Sequence, residues 1–157
     1  MNNAPAAKHH YPTRTILLSG LVAGVLDLTF AYFAFGRPFP RLLRGIAGGL
    51  FGPSAHQGGV GTAVIGFVCH FVISIGAAAT YYLAAKKLSW LNRFPVVSGI
   101  IFGLLVYEFM HLVVLPLSAY HSPLAFPPLF ARDVASHLFL VGLPIALIVR
   151  LDLARDS

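Results

Sequence analysis

Charge is what this chain has least of. Only 10 % of its 157 residues are Asp, Glu, Lys or Arg, against about 25 % in ordinary soluble domains. Without more charge the surface of a water-soluble fold cannot be built, and a disordered, self-repelling chain is excluded as well. A single cysteine, Cys69, excludes an intrachain disulfide framework. It sits in an apolar run, where a thiol behaves as a small hydrophobe. There is no Gly-rich phosphate loop, no nucleophile elbow and no Cys-x-x-Cys pair. No serine stands in a motif that would make it a nucleophile, so the residues favour a non-enzyme over an enzyme. Basic runs with interleaved aromatics are absent too. The formal charge of +6 therefore argues for headgroup contact at membrane borders and not for nucleic acid.

What remains is grease: 57 % hydrophobic residues and a mean hydropathy of +0.79. Four apolar runs are each near the 20 residues that a helix needs to cross a bilayer. Residues 15–35 form span 1, interrupted only by Asp27. Lys8 and Arg14 precede it as in a signal peptide, but the run is too long and no cleavage site follows closely. Residues 60–85 form span 2 and contain His70. Residues 95–116 form span 3, opening on a proline and containing Glu108 and His111. Residues 130–149 form span 4, with Asp133 and His137 near its start and Pro144 predicting a kink. Residues 1–14, with the His9-His10 pair, read as a mobile tail, and 151–157 as a short C-terminal tail. Residues 117–130 carry Pro123, Pro127 and Pro128 and read as an irregular loop. Tyr81, Tyr82 and Tyr107 read as interfacial or core aromatics. The expectation is an all-α, polytopic membrane protein comprising one four-helix domain, 15–150.

The segment between spans 1 and 2 is unusual. Pro38 and Pro40 end span 1, and Gly45, Gly48, Gly49 and Gly52 then fall on one helical face. About 12 residues is too short to span, so a short interfacial or re-entrant helix is expected, with its glycines pressed on a neighbouring backbone.

Orientation follows from the basic residues. Lys8, Arg14, Lys86, Lys87, Arg93, Arg150 and Arg155 fall on one side, and Arg37, Arg41, Arg44 and Arg132 on the other. The bias of seven to four puts both termini in the cytoplasm.

The chemistry lies inside the spans. An ionisable residue there costs about 2.5–3.5 kcal/mol on insertion scales and normally faces the bundle interior. Counted from the outer ends, Asp27 and Glu108 lie about 12 Å deep, His70 about 15 Å, His111 about 8 Å and His137 about 10 Å, at 1.5 Å per residue. All four spans thus bring polar groups to one layer. Gly20, Gly24 and Asp27 share a face of span 1, while Gly66, His70, Ser74 and Ala77 share one of span 2. Glu108 and His111, at i and i+3, are spaced to reach one point. Asp133 and His137, at i and i+4, are spaced for the carboxylate to accept the ring N–H.

His70, Glu108, His111 and His137 are candidate ligands for a divalent transition metal, with Asp27 and Asp133 as proton-relay or supporting groups. The same set suits a proton relay, because imidazole titrates near neutrality. Haem ligation is a weaker fit. The alternative is a non-catalytic membrane subunit or stabiliser whose polar layer only fastens the helices. The lipid bilayer is the one partner the composition itself implies. Gly99-x-x-x-Gly103 suits packing within the bundle, or a homo-oligomer or larger membrane complex.

The second half resembles the YagU-like family of small bacterial inner-membrane proteins. The resemblance rests on span 2 around Cys69-His70, on Gly99-x-x-x-Gly103 leading to His111 and Pro116-Leu117, and on Asp133, His137 and Arg150-Leu-Asp152. It covers roughly residues 58–153, with a weaker match at Gly20–Gly24. It implies a multi-pass protein of the bacterial inner membrane. His70, His111 and His137 match the family pattern, whereas Asp27 and Glu108 do not.

Overall fold

The computed structural model describes residues 12–121 and 130–154. Among them every regular element is helical. Helix α1 is Pro12–Phe35, α2 is Phe39–Phe51 and α3 is Val60–Lys87, with a 3₁₀ turn at Gly52–Gln57 before α3. A short α4, Ser89–Arg93, leads into α5, Pro95–Phe109. A π segment, Met110–Val114, and the brief α6, Leu115–Leu117, complete the third span. The fourth is α7, Phe130–Ser136, a second π segment, His137–Gly142, and α8, Leu143–Leu153. Four helical stretches are long and apolar enough to cross a membrane: Pro12–Phe35, Val60–Lys87, Pro95–Leu117 and Phe130–Leu153. The chain is an all-α, multi-pass membrane bundle. The tail with His9-His10, the prolines of 122–129 and residues 155–157 lie outside the described residues.

The helices reach further than the apolar runs do. Residues 12–14 and 151–153, read from sequence as tails, are helical. The two ends meet where the Thr15 hydroxyl donates to Asp152 Oδ2 at 2.6 Å.

Small residues set the packing, as they must where lipid is as apolar as a leucine side chain. A Cβ on Gly103 would sit 2.2 Å from the His137 carbonyl oxygen, and one on Gly142 2.1 Å from that of Gly99. Spans 3 and 4 therefore meet backbone to backbone, as the Gly99-x-x-x-Gly103 spacing predicts. Gly20 and Gly24 likewise take Ile75 and Phe71 of α3. Around the bundle the neighbours run α3, α1, span 4, α5. Span 4 is the hub, with 33 % of its most apolar window buried, while span 3 has 11 %. Tyr81, Tyr82, Ile145, Ala146 and Val149 form the core at the inner end, meaning the end of the bundle where Thr15 meets Asp152, the outer end being the opposite one.

The glycine face of α2 is pressed on backbone only at its end, where a Cβ on Gly52 would lie 3.0 Å from the Ala119 carbonyl oxygen. The closer backbone approach comes from α3, where a Cβ on Gly66 would lie 1.9 Å from the Leu43 carbonyl oxygen. On α2, Gly48 instead accommodates the Tyr120 ring, and the Ala119 N–H donates to the Gly49 carbonyl at 2.9 Å. Gly49 and Gly45 meet nothing closer than ordinary contact. Thus α2 lies against α3 on one side and holds the segment following span 3 on the other.

Both π segments end two residues before a proline, Pro116 and Pro144. Proline lacks an N–H and its ring crowds the carbonyl four residues back. The preceding turn relieves this by widening to i→i+5 pairing. The kink expected at Pro144 is therefore a π segment just ahead of it. Each of the two widened turns carries one of the candidate histidines, His111 or His137.

Candidate functional site

The six candidate residues separate into two groups. Asp27, His70 and His137, from three different spans, line one cavity of about 140 Å³, together with Ser74 and, from α2, Ile46. Glu108 and His111 do not line it.

The cavity is held open by side chains tied to backbone. The His70 Nε2–H donates to the Gly24 carbonyl at 2.9 Å. The Ser74 hydroxyl donates to the Gly20 carbonyl at 2.7 Å, four residues later on α3 and four earlier on the antiparallel α1. These paired contacts fix α3 on α1. The Ser136 hydroxyl lies 3.1 Å from both Asp27 Oδ1 and the Asp133 carbonyl. Its oxygen is also 3.4 Å from His137 Nδ1. One hydroxyl thus links a carboxylate on α1 to an imidazole on span 4.

His137 is oriented by Asp133, but through the main chain. Its Nδ1–H donates to the Asp133 carbonyl at 2.8 Å, where the spacing had predicted the carboxylate. His111 does the same, with Nδ1–H donating to the Tyr107 carbonyl at 3.0 Å. The reason is shared: a π turn disturbs the i→i−4 ladder, and a ring at i+4 takes up the carbonyl beneath it. The Asp133 carboxylate keeps an electrostatic role, lying within range of His137, His111 and Asp27.

Glu108 and His111 do not converge on one point as their spacing allowed. The His111 ring stacks on Tyr107 with centroids 4.1 Å apart, and His137 meets the same ring edge-on at 5.4 Å. Glu108 is half-buried beside them, within electrostatic range of Tyr107. Among the described residues no group of three or more His, Cys, Asp or Glu is placed to hold a metal ion.

Two participants escaped the sequence reading. Ser136 carries no motif, and only its position one residue before His137 on a π-distorted helix makes it a connector. Tyr107 reads as a core aromatic, and it is indeed 1 % exposed. It is also the plate between two imidazoles, and its buried hydroxyl has no hydrogen-bond partner among the described residues. A tyrosine four residues before a histidine in an apolar span was the available signal.

The geometry leaves specific chemistry. In the neutral rings, Nε2–H of His70 and Nδ1–H of His137 are committed to carbonyls, so the remaining ring nitrogens carry lone pairs. With Asp27, the cavity offers two imidazole acceptors and one carboxylate. No protein-family model, no curated protein and no solved structure matches the chain.

Proposed function

We propose that the Asp27–Ser136–His137 connection, with His70 in the same cavity, relays protons within the outer half of the bundle. The observation that carries this reading is the Ser136 hydroxyl, in hydrogen-bond range of Asp27 and at 3.4 Å from the His137 ring. His137 takes up a proton from the cavity at its free Nε2. The imidazolium passes its Nδ1–H to the Ser136 oxygen while the Ser136 hydroxyl passes its own proton to the Asp27 carboxylate, so no heavy atom moves. A buried acid and imidazole in lipid carry an insertion cost of about 2.5–3.5 kcal/mol per charged group at the helix centre, which interhelical fastening at about 0.6 kcal/mol does not recover. The arrangement favours the proton side of the expectation over the metal side. The proposed setting is the bacterial inner membrane with both termini in the cytoplasm, supported by the basic-residue bias and by the resemblance to the YagU-like family.

Proteoliposomes with an internal pH dye and a potassium-driven membrane potential test the reading. Proton entry well above that of protein-free liposomes is expected. Asp27→Asn and Ser136→Ala should lower it by about 10²-fold, the lower bound for losing a positioned acid–base group. Glu108→Gln should leave it unchanged. Entry no faster than in empty liposomes overturns the proposal.

One observation favours a second reading: all three span histidines donate to main-chain carbonyls, as fasteners would. A stabilising subunit would show no proton entry, while His70→Ala would lower the melting temperature in detergent.

A further inference from the structure

The polar cavity is not enclosed by helices on all sides. Helices α3 and α5 are joined at their inner ends, where the Tyr81 hydroxyl and Ser98 Oγ are 2.8 Å apart and the Tyr81 ring meets Phe102 edge-on at 5.0 Å. Further out they separate. Between them lies a groove of about 650 Å³, inside the range of about 300–1,000 Å³ typical of small-molecule sites. Ile73, Ala77, Val106 and Met110 line both this groove and the polar cavity, so the two adjoin across these four side chains. The rest of the groove is apolar apart from Thr80, whose hydroxyl is spent on the Gly76 carbonyl of its own helix.

We infer that groove and cavity form one site for a lipophilic amine that reaches it sideways from the bilayer, with its N–H-bearing ammonium head in the cavity. This builds on the cavity of the proposed proton relay, but it concerns binding and not proton movement. The head chemistry follows from what the cavity lacks. Its hydroxyl donor Ser74 is committed to Gly20, and the committed N–H groups of His70 and His137 leave lone pairs. Asp27 adds a carboxyl group. Such a lining asks for a ligand that donates hydrogen bonds and is positive. The chain supplies no such partner at the depth of the cavity: all lysines and arginines lie at span borders or in connectors, as Asp133 does beside Arg132, while Asp27 and Glu108 lie inside. The tail chemistry follows from the groove, where Phe102, Leu105 and Phe109 offer only hydrocarbon. A hydrated inorganic cation would leave that surface unmatched, and among the described residues no three ligand residues converge to strip its water. Lone pairs on the imidazoles further select an ammonium that keeps an N–H over a quaternary one.

The test is equilibrium binding of radiolabelled dodecylamine to the full-length protein in lipid nanodiscs, measured against protein-free nanodiscs of the same lipid. Saturable binding above that background is expected. Dodecyltrimethylammonium, which has no N–H, and dodecanol, which has no charge, should compete about tenfold or more weakly, the scale of a charge-assisted hydrogen bond. Asp27→Asn should weaken binding by a similar factor while keeping an acceptor for Ser136. Gly76→Phe places a ring in the groove wall at a position where an added Cβ meets nothing within 4 Å. It should weaken dodecylamine binding with melting temperature and proton entry unchanged. No saturable binding, equal competition by the trimethyl compound, or full binding retained in Gly76→Phe overturns the inference. If Asp27-dependent proton entry persists without amine binding, this inference alone falls. If amine binds but protons do not enter, the relay alone falls.

Discussion

The inner and outer halves of the bundle are made from the same four helices and are packed by opposite means. At the inner end, residues 141–149 of span 4 bury Val141, Ile145, Ala146 and Val149 against Ala78, Tyr81, Tyr82 and Ala85. The tie from Tyr81 through Ser98 continues to the Leu91 carbonyl, which Ser98 Oγ meets at 3.0 Å. At the outer end the helices carry π segments, a polar cavity and a groove. The inner half pairs its buried Tyr81 and Ser98 hydroxyls within the protein and leaves Asn92 Oδ1 unpartnered among the described residues, whereas the outer half leaves ring nitrogens, a carboxylate and the Tyr107 hydroxyl with capacity to spare. A bundle that needed only cohesion would repeat the inner solution along its length. The contrast fits the proposed relay, which uses the outer end, with the inner end serving cohesion.

Substitutions can break that contrast, and the largest effect should come where the halves join. Gly103→Leu drives a side chain into the backbone of His137 and Leu138, which have no room to retreat. Overpacking of about 3 kcal/mol or more is expected, seen as loss of a cooperative melting transition in detergent. Pro144→Ala should act on function instead. With an N–H restored, the widened turn at His137–Gly142 can return to α-helix, which rotates His137 away from Ser136. Proton entry should fall roughly tenfold, the scale of a small misplacement, while melting temperature stays level or rises. Equal losses of both would show that the π segment is structural.

Smaller effects sharpen the comparison. Ser98→Ala removes the partner of the buried Tyr81 hydroxyl and should cost about 1–3 kcal/mol, measured as a lowered melting temperature with proton entry intact. On α2, Gly49→Ala meets nothing within 4 Å and should stabilise by up to about 1 kcal/mol through helix propensity. Gly48→Ala should give no such gain, because its Cβ would fall on the Tyr120 ring.

Much of this was legible beforehand, for a physical reason. Lipid imposes length, composition and internal hydrogen bonding on a span. Runs of apolar residues therefore locate the four helices to within a few positions, and the cost of burying Asp27, His70 and His137 marks them as interior. Equal depth along the helices placed those three in one layer, and the structure puts them around one cavity. Rotation about the helix axis was less legible. Glu108 shares the depth of Asp27, yet it lies outside the cavity. The short spacing rules mislead where a helix is not α, and the histidine of each pair sits in a π segment. Asp133 orients His137 with its carbonyl because backbone geometry, and not side-chain spacing, decides which acceptor is nearest.

The residue pattern by itself determined an all-helical bundle with four spans, basic ends and a polar layer, since each follows from transfer free energies that act on one residue at a time. Tertiary structure alone decided which polar groups meet, that Ser136 joins two of them, that Gly66 and not the glycines of α2 makes the closest backbone approach, and that α3 and α5 part to leave a groove. Those outcomes depend on how helices turn and cross, and that is set by contacts between residues far apart in the chain.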